Sequence, residues 1–248
     1  MTDVLILAGQ REGVVDPLCA MAGIARKALL PVRGVAQIDR VGAALEGAGF
    51  TRPYRASGLG VARDGFAKAP SGAGPADSAW RALESARFPC LLTTADHPLL
   101  TAEMVEVFVR EAEATGADFV VGLASRATIE AEVPDTTRTY LKFSDAQVSG
   151  CNLFYLRTGE GRKAIAWWKR AQAFRKKPLR LAWSIGPGVL LQYALGQLSL
   201  RGAFAFASRK VGIVAAPVLL PFARAAIDLD KPEDLELIER LLEHDSDA

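Results

Sequence analysis

The sequence predicts an α/β fold of the doubly wound, Rossmann-like kind. Short runs of strand-forming apolar residues alternate with stretches of helical apolar spacing as far as residue 123. Gly9 and Asp96 stand directly after two of those runs, outside the C-terminal ends of the strands, where such folds bind ligands. With 248 residues, 50% hydrophobic and 23% charged, the chain can bury a substantial core without disulfide or metal staples.

Residues 4–7 form a short apolar run that ends in Ala8-Gly9, a buried strand feeding a loop. Residues 35–48 carry Ile38, Val41, Ala44 and Leu45 at helical spacing and stop at Gly47-Ala48-Gly49. Residues 55–76, rich in Gly, Ala and Pro, read as an ordered loop over a site or a flexible lid. A helix follows over 78–87, then a second buried strand over 90–95, with Asp96 at its C-terminal edge. Thr101 opens a helix carrying Met104, Val105, Val107, Phe108 and Val109; Glu103 and Glu106 favour its N-terminal end, and Gly116 stops it. Residues 119–123 are a third strand. In the second half, 139–143 and 152–156 read as strands around a turn at Ser149-Gly150, 160–210 as helical, 226–229 as a final strand and 234–244 as a helix. With no internal repeat or low-complexity linker, residues 1–248 read as one domain with a basic, mostly helical insertion at about 157–210.

A net charge of +2 is too small to argue for nucleic acid as a partner. Cys19, Cys90 and Cys151 are odd in number and lack metal-ligand or C-x-x-C spacing, which points to reduced thiols in a cytoplasmic protein. The first apolar run is too short for a signal peptide and lacks a basic segment before it. Residues 181–200 are uncharged and as long as a membrane span. Gly186-Pro187-Gly188 interrupts them and Gln192, Tyr193, Gln197 and Ser199 dilute them, so a buried or interfacial helix starting near Pro187 is expected instead.

Three constellations carry chemistry. The first is Leu7-Ala8-Gly9-Gln10-Arg11-Glu12-Gly13, followed by Lys27-Ala28-Leu29-Leu30-Pro31-Val32. Glycines after a strand let backbone N–H groups approach phosphates, and Arg11 and Lys27 can neutralise them. No Gly-Lys-Ser/Thr follows and the glycine spacing differs from the dinucleotide fingerprint, so neither of those motifs is present. The second, Thr93-Thr94-Ala95-Asp96-His97-Pro98-Leu99-Leu100, sets an aspartate at a strand tip where it can hold Mg2+ against a phosphate, or cap a turn. The third runs from Ile227 to Leu235; Asp228 and Asp230 are expected on one face of a strand, where either can share a metal with Asp96, and Asp234 is expected to cap the following helix.

In this order, the three groups resemble the MobA-like NTP transferases, the nucleotidyltransferases similar to molybdenum-cofactor guanylyltransferases and to sugar- and polyol-phosphate cytidylyltransferases. The resemblance spans nearly the whole chain. It implies a mixed, mostly parallel sheet with helices on both faces (a GT-A-like nucleotidyltransferase fold). It implies Arg11, Lys27 and Asp96 as catalytic residues, and a nucleotide site of Leu7, Ala8, Gly9, Gln10, Arg11, Gly13, Lys27, Gly72, Gly74, Ser78 and Asp96. Metal ligands would be Asp96 with Asp228 or Asp230, and acceptor contacts Asn152, Lys142 and Gly150. The Gln10-Arg11-Glu12-Gly13 loop and its distance from Lys27 depart from the family pattern.

The implied reaction is in-line attack of a small phosphorylated acceptor on the α-phosphorus of an NTP, with Mg2+ as cofactor and pyrophosphate leaving. A phosphate acceptor is already an anion and needs no general base, so His97 is read as structural. The resemblance to cytidylyltransferases that make CDP-linked lipid head-group precursors implies CTP as donor and an acceptor such as phosphoglycerate. A nucleotide-sugar glycosyltransferase of the same fold type, or a non-catalytic NTP sensor, are the alternatives. From 157 to 180, nine Lys or Arg face one acid, Glu160, with Trp167, Trp168 and Phe174 interleaved and Trp183 just beyond. This stretch suits an anionic acceptor, a solvated helix face over a tryptophan-filled core, or peripheral contact of 157–183 with the inner face of a membrane.

Overall fold

The computed structural model describes residues 2–10, 16–174 and 186–246. In chain order these form β1 (Asp3–Leu7), α1 (Pro17–Ala22), the ribbon β2 (Pro31–Val32) and β3 (Val35–Ala36), α2 (Gln37–Gly47), β4 (Tyr54–Ser57), β5 (Phe66–Ala69), α3 (Pro75–Ala82), β6 (Cys90–Thr94), α4 (Ala102–Ala114), β7 (Phe119–Ser125) and α5 (Arg126–Glu132). There follow β8 (Leu141–Lys142), β9 (Gln147–Leu156), α6 (Arg162–Ala173), α7 (Pro187–Ala194), α8 (Leu200–Val211), β10 (Ala215–Leu220) and α9 (Pro232–Ser246). One eight-stranded sheet has the order β10-β7-β9-β6-β1-β4-β5, with β8 paired to β9. Its pairs are parallel except those of β9, which runs antiparallel to β6, β7 and β8.

Alternation along β1 and β6 divides the core. Val4, Ile6 and Leu91 face the helices α2, α4 and α9, while Leu5, Leu7, Cys90 and Leu92 face α3 and α6. Each buried Leu or Ile contributes about 2 kcal/mol. Exposed ion pairs contribute about 0–1 kcal/mol each, so this apolar sandwich sets the stability and the loops at its edge are free to carry function. The helices begin as their sequences dictate. Thr101 Oγ1 accepts from Met104 N at 3.3 Å at the start of α4, and Pro187 stands in the first turn of α7. No helix among the described residues is long and apolar enough to cross a membrane.

Several expected elements differ. Residues 55–76 are not a loop throughout but hold most of β4 and all of β5, whose small side chains (Ala56, Ser57, Ala67, Ala69) conceal strand character. The next helix starts at Pro75 and ends at Ala82, passing into a 3₁₀ turn over Leu83–Ser85. Ser149-Gly150 is not a turn but lies inside β9; the hairpin closes at Ser144-Asp145, where Phe143 N donates to Ala146 O at 2.8 Å. Residues 226–229 are not a strand. A 3₁₀ turn over Ala223–Ala226 gives way to a stretch that crosses the sheet edge, where Leu229 N donates to Asp96 O at 2.9 Å. The last strand is β10, whose Pro217 lacks an N–H and is tolerated because β10 is an edge strand.

Candidate active site

The C-terminal ends of β1, β4, β5 and β6 share one edge with the N-terminal half of β9. Beyond β1, Ala8 N donates to Ser57 O at 2.8 Å. A Cβ on Gly58, at φ +84°, would stand 2.6 Å from Gly9 Cα, so this close approach of the two loops requires glycine at 58. Leu7 and Ala8 are buried beneath this contact. Gln10 then ties the loop to the lysine segment: its Nε2 donates to Ala25 O and its Oε1 accepts from Lys27 N, each at 2.9 Å. Gln37, fully buried, donates from Nε2 to Lys27 O at 2.8 Å. Arg11 and Gly13 lie outside the described residues.

Lys27 is thereby aimed at the carboxylates. Its Nζ is 2.7 Å from Asp230 Oδ1 and 3.8 Å from Asp96 Oδ2. Burial disfavours its charge, but the hydrogen bond to Asp230 and the charges of Asp96, Asp230 and Asp16 outweigh burial and hold its pKa above the ordinary lysine value. Asp96, half-buried past the end of β6, has its pKa raised chiefly by burial and further by Asp228 and Asp230, against the pull of Thr94 and Lys27. Its Oδ1 is shut off from solvent and meets no hydrogen-bond donor among the described residues. His97 is buried, its Nε2 3.4 Å from Arg224 O, and burial pushes its pKa down to about 4, so it is neutral near pH 7.

Asp228 and Asp230 do not share a strand face; their stretch is irregular and they turn to different partners. Asp230 is exposed and bound to Lys27, whereas Asp228 accepts from the Arg138 guanidinium at Oδ1 and from Asn152 Nδ2 at Oδ2, the latter at 3.2 Å. Asp234 Oδ2 accepts from Asp230 N and Lys231 N, each at 3.0 Å, at the start of α9. Asn152 reaches Asp228 because β9 carries extra residues. Its pairing with β7 slips between Val121↔Phe154 and Leu123↔Gly150, and Asn152 takes φ 52° there. Such bulges re-aim side chains. Gly150 is exposed beside it. Lys142 is exposed on β8, where its backbone N donates to Tyr193 Oη at 3.0 Å, and it forms no ion pair with the three aspartates.

The loop after β5 is held by its own side chains. Ser78 Oγ accepts from Gly72 N at 3.0 Å and Asp77 Oδ2 from Ala73 N at 3.2 Å. Asp77 also reaches Arg81 Nε at 3.2 Å and Lys169 Nζ of α6 at 2.6 Å. A Cβ on Gly72 would stand 2.1 Å from Asp77 Oδ2, whereas one on Gly74 would meet only Gln172 Oε1, at 3.6 Å. In α6, Ile165 is buried, Trp168 stacks on Phe154 at 6.4 Å between centroids, and Arg162 lies 4.7 Å over the Trp80 ring. These members of the basic stretch therefore pack against the sheet and α3. Trp167 and Phe174 instead line an open groove of about 440 Å³ with Lys163, Arg170 and Lys210. Residues 175–183 of the stretch lie outside the described residues.

No three His, Cys, Asp or Glu among the described residues are grouped closely enough to hold a metal unaided. The donors nevertheless suit a hard divalent cation, which is commonly held by one or two carboxylates and completed by substrate phosphates. Asp96 offers an unpartnered oxygen, and Asp228 is close enough to shift its ionisation. Sequence reasoning missed Arg138, which sits in an irregular polar segment with no local signal. It also missed Gln37, which the helical register places at a buried position and which was therefore detectable.

A model of the MobA-like NTP transferase domain matches residues 19–176. Among solved structures, a hypothetical transferase from Thermus thermophilus is 33% identical, with 95% of this chain and 100% of that one covered and a TM-score of 0.81. A 2-C-methyl-D-erythritol 4-phosphate cytidylyltransferase, also from Thermus thermophilus, is 18% identical over 98% of both chains, with a TM-score of 0.54. Molybdopterin-guanine dinucleotide biosynthesis protein A of Archaeoglobus fulgidus is 13% identical over 98% of this chain and 100% of that one, with a TM-score of 0.50. The last two share the fold. No curated protein sequence matches the chain.

Proposed function

The chain belongs to the MobA-like NTP transferase family, and from that premise we propose that it transfers CMP from CTP to a small phosphorylated acceptor of the phosphoglycerate kind, releasing pyrophosphate. The observation that carries the transfer chemistry is the meeting of Lys27, Asp96 and Asp228 on one sheet edge, between the Gly9-Gln10 loop and Asn152. CTP and the acid acceptor rest on the resemblance to cytidylyltransferases of lipid head-group synthesis; the basic face of α6 suits an anionic acceptor. A CDP-linked product of this kind would place the enzyme in the cytoplasm, with 157–183 near the inner membrane face.

An acceptor phosphate oxygen attacks the α-phosphorus, and the bond to the bridging α–β oxygen breaks as pyrophosphate departs. Lys27 neutralises the departing phosphates, and Arg11 is assigned the same task. The backbone of residues 71–78 reads the base, with Ser78 and Asp77 keeping Gly72 and Ala73 in position. Asn152, Gly150 and Lys142 face the acceptor. Asp96 and Asp228 would hold Mg2+, which when bound would supply positive charge to the reacting phosphates. Asp230 is assigned to orienting Lys27, whose ammonium its carboxylate binds. Pyrophosphate release with Mg2+, each of the four NTPs and a panel of phosphorylated acids, polyols and sugars tests this: release is expected with CTP and a phosphoglycerate, and release confined to another NTP or to a sugar phosphate would overturn it.

A further inference from the structure

The reaction above leaves Arg138 without a task. Its side chain is only 12% exposed, and it comes from the segment between α5 and β8, on the β9 side of the cleft. Its guanidinium is ion-paired to Asp228 Oδ1 while Asn152 occupies Oδ2, so both oxygens of this carboxylate are engaged. Arginine cannot shed its proton, so its positive charge stays beside this carboxylate. Asp96 differs, since its Oδ1 meets no donor among the described residues. A guanidinium on a carboxylate that must also hold a divalent cation competes with that cation, because the two positive charges repel each other.

We propose that Arg138 is the counter-ion Asp228 keeps until a divalent cation takes this carboxylate, and that the released guanidinium then binds the anionic group of the acceptor. The inference rests on the assignment of Asp228 to the metal. The sheet order supports the destination. Strand β6, with Asp96, lies between β1, whose loop leads to Lys27, and β9, which carries Asn152. Arg138 thus stands on the side away from Lys27 and the phosphates it neutralises. A guanidinium fork matches a phosphate or carboxylate in bidentate fashion, which a lysine cannot do. The exchange also implies that free cation binds poorly and arrives with the nucleotide.

Two titrations test it. The first follows Mn2+ binding by electron paramagnetic resonance with no nucleotide, in the full chain and its R138M and R138K variants, each checked for an unchanged unfolding temperature. R138M is expected to bind Mn2+ about tenfold more tightly, and R138K, which keeps the charge, to stay near the parent. The second measures inorganic phosphate binding with Mg2+ present and the nucleotide site filled by a non-hydrolysable CTP analogue; R138M is expected to lose about tenfold in affinity. Should R138M not fold, R138Q carries both titrations. Unchanged or weakened Mn2+ binding in the uncharged variant overturns the exchange, and unchanged phosphate binding overturns the acceptor role. The manganese titration needs neither CTP nor turnover, so tightened binding with no pyrophosphate release would sink the substrate reading and leave the exchange standing.

Discussion

At Lys27 the backbone is fixed twice, by Gln10 Oε1 on its N–H and by Gln37 Nε2 on its carbonyl. The side chain is left to choose among anions, and it lies nearer Asp230 than Asp96, 2.7 Å against 3.8 Å. Asp230 is 65% exposed, so this pair is screened by water and yields readily to a triphosphate. Asp230→Asn removes the anion that competes with the triphosphate for Lys27 and is therefore expected to lower the KM for NTP a few-fold, about 1 kcal/mol, while leaving Mn2+ affinity unchanged. A loss of Mn2+ binding in that variant would return Asp230 to the metal. Sequence spacing placed Asp228 and Asp230 together because alternation was assumed; the alternation rule needs a strand, and the residues around them form none.

The loop 71–78 shows how an element can be held by its own polar side chains. Gly72→Ala drives a methyl into the Asp77 carboxylate and displaces it from Ala73, Arg81 and Lys169, so the KM for CTP is expected to rise about tenfold. Gly74→Ala meets ordinary contact at an extended backbone, φ −171°, and is expected to keep the parental unfolding temperature. Equal losses in the two variants, by steady-state kinetics and thermal unfolding, would contradict this account of the loop. Strands β1, β6 and β7 were legible because they are buried on both faces and read as continuous apolar runs. Strands β4 and β5 were not, because at the sheet margin Ala and Ser replace branched residues. Strand β10 was hidden by Pro217, which only the edge position excuses. Of the site, Lys27 and Asp96 could be found from local motifs, whereas Arg138 meets Asp228 across 90 positions of sequence and no local pattern announces such a pair.

Across the whole molecule, both faces of one sheet are covered, by α2, α4 and α9 on one side and by α3 and α6 on the other. We take residues 1–248 as a single folding unit in which the basic insertion is anchored through Ile165 and Trp168. Thermal unfolding followed by circular dichroism and by tryptophan fluorescence should then give one coincident transition, raised by Mg2+ with CTP. Two separated transitions, with the tryptophan signal lost first, would make the insertion a separate unit. The central claim is that Asp96, with Lys27 beside it, serves nucleotidyl transfer. Pyrophosphate release by the parent and by Asp96→Asn, with Mg2+, CTP and 3-phosphoglycerate, tests it most directly. The account predicts turnover in the parent and a loss of at least about a thousandfold in the variant at an unchanged unfolding temperature; a variant that retains parental turnover would contradict it.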